Sequence, residues 1–120
     1  MTKFVYDLKQ VYALVTTTLS LVYDKVYLHN KVDHIDTFIS QPLEYYIDRF
    51  CSLLERMIEK HNIRMIVVSV IGSTYPELSE YVRSLDDIEF IAVVRTIMEE
   101  NVWLLYSPEV LRMLLYLSHS

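Results

Sequence analysis

Ile63-Arg64-Met65-Ile66-Val67-Val68-Ser69-Val70-Ile71, closed by Gly72, is the stretch on which the fold turns. Apolar residues fall on both parities of the run. Laid out as a strand it puts hydrophobic side chains on both faces, which a sheet tolerates only where both are covered. The run is short, rich in β-branched residues and ended by the only glycine of the chain. Ser73, Thr74, Tyr75 and Pro76 follow with turn and helix-start chemistry. These features predict a central strand; a buried helical segment is the competing reading, because periodicity alone does not separate the two.

Working outward toward the C-terminus, Leu78, Tyr81, Val82 and Leu85 give one helical face over Pro76 to Leu85. Asp86 and Asp87 close it, and Ile88 to Val94 reads as a second strand, making residues 63–94 a right-handed β-α-β unit. The rival reading of that second run is a helix from Asp87 to about Leu104 through Phe90, Val94, Ile97 and Asn101. Thr96 to Asn101 suits a turn or short helix, and Val102 to Tyr106 a third, short strand. Ser107-Pro108-Glu109 is a helix start, with proline in the first turn and an acid suited to the dipole. Val110, Leu111, Leu114, Leu115 and Leu117 drive that last helix into the core.

Toward the N-terminus, Phe4, Leu8, Val11, Val15, Leu19, Val22 and Val26 draw one stripe down a helix over residues 3–28. Tyr6, Tyr12, Leu14 and Leu21 widen it. Thr16, Thr17 and Thr18 weaken helix propensity locally, and a strand over Lys25 to Val32 competes. Residues 29–39 read as a polar connection. Ser40 is then a predicted N-cap with Pro42 in the first turn, and Leu43, Ile47, Phe50, Leu54, Met57 and Ile58 carry a second helix to about His61 and Asn62. The expected fold is α/β in a single domain of residues 1–120: a helical hairpin over 1–62 packed on a small, mostly parallel sheet of about three strands, then a C-terminal helix within 63–120. The alternative is an all-α bundle.

Composition narrows the function classes. A net charge of -5 opposes a broad electrostatic grip on nucleic acid, and the 11 basic residues are scattered singly rather than grouped against anionic lipid. Base stacking by the aromatics lacks the basic groove that accompanies it. No apolar stretch reaches the roughly 20 residues of a membrane span. The first residues, Met-Thr-Lys-Phe-Val-Tyr-Asp, lack the order of a secretory signal, so a cytoplasmic protein is expected. A lone Cys51 forms no internal disulfide and suits a reducing compartment. The 52% apolar content, with 10 Tyr, 4 Phe and 1 Trp, fits either a dense core or self-association.

Few residues suggest chemistry. The loop Gly72-Ser73-Thr74-Tyr75 follows the expected central strand and precedes a helix, where amides and hydroxyls can cradle an anion. Over about a dozen residues it resembles the phosphate-binding turn of flavodoxin-like proteins. That family's turn carries more hydroxyls and glycines, lies near the chain start and precedes a longer sheet than residues 73–120 supply. In the anion-binding reading Arg95 is a clamp; in the plainer one Ser73 or Thr74 caps the helix. His29, His34, His61 and His119 lack metal-site spacing, so no metal or cofactor is expected. Cys51, between Phe50 and Leu53 on a helix, is expected to pack as a small hydrophobe rather than act as a nucleophile with His61. The acid pairs Asp86-Asp87 and Glu99-Glu100 are expected at solvated ends, and Arg64 and Arg95 to pair with Asp87 or Glu89.

The function expected is a non-enzymatic interaction or regulatory protein whose partner is a second copy or another protein. The homodimer surface would be helical and aromatic, drawn from Phe4, Leu8, Val11, Tyr12, Val15, Tyr45 and Tyr46, with Tyr75, Tyr81, Trp103, Tyr106 and Tyr116 as further candidates. The alternative function is a small α/β domain holding a phosphate-bearing ligand or nucleotide at Gly72, Ser73, Thr74, Tyr75 and Arg95. An all-helical chain would instead offer a groove for a partner's helix.

Overall fold

The computed structural model describes residues 7–29 and 39–118, and every regular element among them is helical. In chain order they are α1 (Leu8–His29), α2 (Leu43–His61), α3 (Ile63–Gly72), α4 (Pro76–Ser84) and α5 (Asp87–Glu100). A 3-10 helix (Val102–Tyr106) and α6 (Pro108–Ser118) complete the order. The expected α/β sheet is therefore replaced by a helical bundle with one continuous apolar core.

Helix starts explain much of this. Asp7 accepts a bond from the Gln10 amide (2.9 Å) while Gln10 accepts one from the Asp7 amide (3.2 Å), a reciprocal cap that opens α1. Asp86 and Glu89 do the same for α5, at 2.7 and 3.0 Å. The three threonines of α1 do not break it: Thr16 and Thr18 turn their hydroxyls back onto the carbonyls of Tyr12 and Leu14, both at 2.8 Å. Asn62 alone joins α2 to α3. It adopts the left-handed conformation (φ 52°), donates its amide to Ile58 and accepts from Met65 and Ile66.

The correction at Ile63 to Ile71 has a physical cause. As a helix, the run turns Ile63, Val67, Val68 and Ile71 inward at spacings of four, one and three, against α4, α1 and α2. Burying these four contributes about 1.5–3 kcal/mol each, against a helix-propensity penalty of tenths of a kcal/mol for each β-branched residue. A lone strand would also leave its amides and carbonyls without a ladder, whereas a helix satisfies them internally. No partner strand exists among the described residues, because Ile88 to Val94 lies in the first half of α5 and Val102 to Tyr106 is a 3-10 helix. The β-α-β unit thus falls away. The rival helix beginning at Asp87 is what forms, although it ends at Glu100 rather than near Leu104.

Gly72 is the last residue of α3 and has no positive φ. Its role is close approach: a Cβ there would lie 3.3 Å from Ser79 Oγ, which donates a buried 2.8 Å bond to the Val68 carbonyl and ties α4 to α3. Leu14, Leu19, Phe50, Leu54, Leu78, Phe90, Met98 and Leu104 are among the fully buried side chains of the core. Helix α1 packs chiefly on α3 and α6 and only lightly on α2, which itself lies against α5 and α6. The two helices expected over 1–62 are present within Leu8–His29 and Leu43–His61, yet each finds its main neighbours elsewhere.

The cap of α5 gives a direct check. Asp86→Ala removes one acceptor for an orphan helix amide and should cost about 1 kcal/mol in urea unfolding. Asp86→Asn should retain most of the stability, because an amide oxygen accepts the same bond.

Candidate interaction surfaces

Helices α2 and α5 run antiparallel, as two sets of contacts show. Near the start of α2, Asp48 accepts from Arg95 of α5 at 2.5 Å, and Glu99 lies 3.8 Å from the same guanidinium nitrogen. Near the other end, Glu55, Ile58 and Glu59 of α2 face Asp87, Ile88 and Ile91 of α5 across an open groove of about 500 Å³. Ile58 is its buried floor, Ile91 is half-buried, and Ile88 is 80% exposed. The three carboxylates form its rim.

Arg64 of α3 holds the rim residue Asp87. Its Nε donates to Asp87 at 3.0 Å, and a second nitrogen reaches the Val82 and Arg83 carbonyls at 3.5 and 3.3 Å. One side chain thereby ties the end of α4 and the start of α5 to α3. Arg64→Met keeps the stem and loses the fork, and should cost about 1–2 kcal/mol in chemical denaturation. Arg64→Lys should recover little, since a point charge does not span three acceptors in a planar fork.

A second exposed apolar surface lies on the 3-10 helix. With about three residues per turn, Trp103 and Tyr106 share one side, and they are 49% and 64% exposed. Val102 is also exposed, while Leu104 and Leu105 are buried and anchor the turn. Trp103 Nε1 donates to Asn101 Oδ1 at 3.3 Å, and no charged residue occurs from Asn101 to Pro108. A smaller depression of about 410 Å³, between α1 and α6, is lined by Tyr23, Pro108, Glu109, Arg112 and Met113.

Comparison of the chain with protein-family models, curated proteins and solved structures gives no match. Function is therefore read from the surface itself.

The residues singled out in the sequence are dispersed. Gly72, Ser73, Thr74 and Tyr75 join α3 to α4 rather than leaving a strand, and the amides of Thr74 and Tyr75 are both held by the Ile71 carbonyl. Neither Ser73 nor Thr74 caps α4; Tyr75 holds the N-cap position without a side-chain bond. Arg95 is bound to Asp48 and Glu99, not to that loop. Of the expected dimer residues, Val11, Val15 and Tyr46 face the core, Tyr12 is half-buried, Leu8 and Tyr45 are exposed, and Phe4 lies outside the described residues. The Tyr46 hydroxyl accepts the amides of Ser40 and Gln41 at 2.9 and 3.2 Å, so it orders the start of α2. Tyr116 is buried beside Tyr23, ring centres 4.8 Å apart.

His61 is half-buried at the end of α2, whereas His34 and His119 lie outside the described residues. No group of His, Cys, Asp and Glu among the described residues has metal-binding geometry. Cys51 is buried, and loss of hydration pushes its thiol up to about 11 despite the pull of Arg95, the reverse of an activated nucleophile. No helix among the described residues is long and apolar enough to cross a membrane. Sequence reasoning missed the groove because its residues come from two helices, one of them read as a strand. The signal that could have found it is the pair of capping motifs, above all Asp86-x-x-Glu89, which marks α5 as a helix.

Proposed function

We propose that the protein is a non-enzymatic interaction protein that works as a homodimer, joined through the 3-10 helix and its flanks. The observation that carries this is the uncharged strip of Val102, Trp103 and Tyr106, held outward by the buried Leu104 and Leu105. Tryptophan and tyrosine are the side chains that most often dominate binding energy when desolvated. A two-fold axis lays a patch on its own copy, so a patch without charge meets no like-charge repulsion even in a chain of net charge -5. Leu8 and Tyr45, exposed on α1 and α2, are not required by this arrangement.

Trp103 is the only tryptophan, so its fluorescence reports on the strip directly. Light scattering across a dilution series should give twice the monomer mass at high concentration, with a blue-shifted emission that returns toward the exposed value on dilution. Trp103→Ala with Tyr106→Ser should give a folded monomer. A strict monomer at all concentrations, or a dimer indifferent to both substitutions, refutes the proposal.

A further inference from the structure

We infer that the groove between α2 and α5 receives a basic amphipathic helix from a partner protein, a binding site separate from the aromatic strip. The apolar lining is formed by Ile58 at the floor, Ile91 half-buried above it and Ile88 at the lip, and the side chains come from two antiparallel helices. A volume of about 500 Å³ holds the two or three anchors that a docking helix presents at i, i+3 or i+4, and i+7. The antiparallel ridges supply a trough in line with such a helix, and Ile88 stands at its lip with little else covering it.

The rim decides the occupant. Glu55 and Glu59 are exposed, make no ion pair among the described residues, and stand one turn apart on α2; Asp87 faces them from α5 and is partly answered by Arg64. Carboxylates on both banks of an apolar trough select apolar anchors flanked by Lys or Arg and repel an acidic helix. A second copy meeting this groove through the same face is disfavoured, because it brings a second set of Glu55, Glu59 and Asp87 against the first. The partner is therefore a different, cationic segment.

The test uses synthetic peptides of roughly 15 residues, the length at which a helix becomes accessible in water. One carries leucines at helical spacing with lysines on either side; the other has glutamates in place of the lysines. Fluorescence anisotropy of labelled peptide against the whole protein should show saturable binding of the lysine peptide only, weakening as salt is raised. Ile88→Ser, and separately Glu55→Gln with Glu59→Gln, should each weaken it at least about tenfold, while Val70→Ser, an exposed apolar site on α3, should leave it unchanged. Circular dichroism of each variant confirms that it is folded. Absence of binding, equal binding of the glutamate peptide, or equal loss in Val70→Ser overturns the inference. Trp103→Ala should retain peptide binding, so this result and that of the dimer test are read independently.

Discussion

Phe90→Ala is expected to lower the stability of the protein by about 3–5 kcal/mol, a large part of the 5–15 kcal/mol typical of a small domain. Ile88→Ser, two residues away, should change it by less than about 0.5 kcal/mol. The contrast follows from α5. Phe90 lies at zero exposure on the same buried face as Val93, Val94, Ile97 and Met98, the face that α5 turns toward α2 and α1, whereas Ile88 stands outside at the lip of the groove. In an extended chain positions 88 and 90 would point the same way, and both substitutions would remove buried surface. Urea titrations of the two variants should therefore show a large fall in midpoint for Phe90→Ala and almost none for Ile88→Ser, with similar slopes. Equal losses would mean that the segment is not helical.

The second large effect is alkaline. Burial pushes the Cys51 thiol from its ordinary 9.0 up to about 11, against the opposing attraction of Arg95. Between those values the unfolded chain gives up a proton that the folded chain keeps, so stability falls as pH rises through the window. Below pH 9 the contribution is fully present; above 11 it is lost, a change of about 2–3 kcal/mol at 1.36 kcal/mol per pH unit. Cys51→Ala costs some packing at every pH but should remove this dependence. The measured quantity is the difference between the two proteins' stability curves from pH 8 to about 11. It should narrow by that amount as pH rises. Buried Tyr116, also pushed up by loss of hydration, contributes equally to both curves and cancels. A pH-independent difference would mean that the thiol ionises as freely in the folded state as in the unfolded one.

Much of the helical framework was legible in the chain. The stripe from Leu8 to Val26, the run from Leu43 to Ile58, and the Pro76 and Pro108 starts all correspond to helices. A charge inside an apolar run implies a partner, and for Arg64 that partner is Asp87. What failed was the weighting at two apolar runs. Ile63 to Ile71 and Ile88 to Val94 are β-branched and hydrophobic on every side, and local propensity favours a strand by less than a buried face contributes to either form. The deciding information is partly non-local: α3 is covered by α1 and α4 together, which no window of ten residues contains. It is partly local and was present, since Asp86 and Glu89 mark a helix start three residues apart. Three residues of the expected dimer surface, Val11, Val15 and Tyr46, are core for a related reason. A stripe at helical spacing does not say whether core or partner covers it, and Val11 and Val15 prove to be core.

The bundle itself rests on residues 63–72 and 87–100 being helical, as α3 and α5 are. Backbone chemical shifts of the labelled protein test this residue by residue. Cα shifts displaced to the helical side throughout both segments, with strong sequential amide–amide contacts and breaks at Ser73 to Tyr75 and at Leu85 to Asp86, are the predicted result. Strand-like shifts over Ile63 to Ile71 and Ile88 to Val94, with cross-strand contacts between them, would contradict it and restore a sheet at the centre of the molecule.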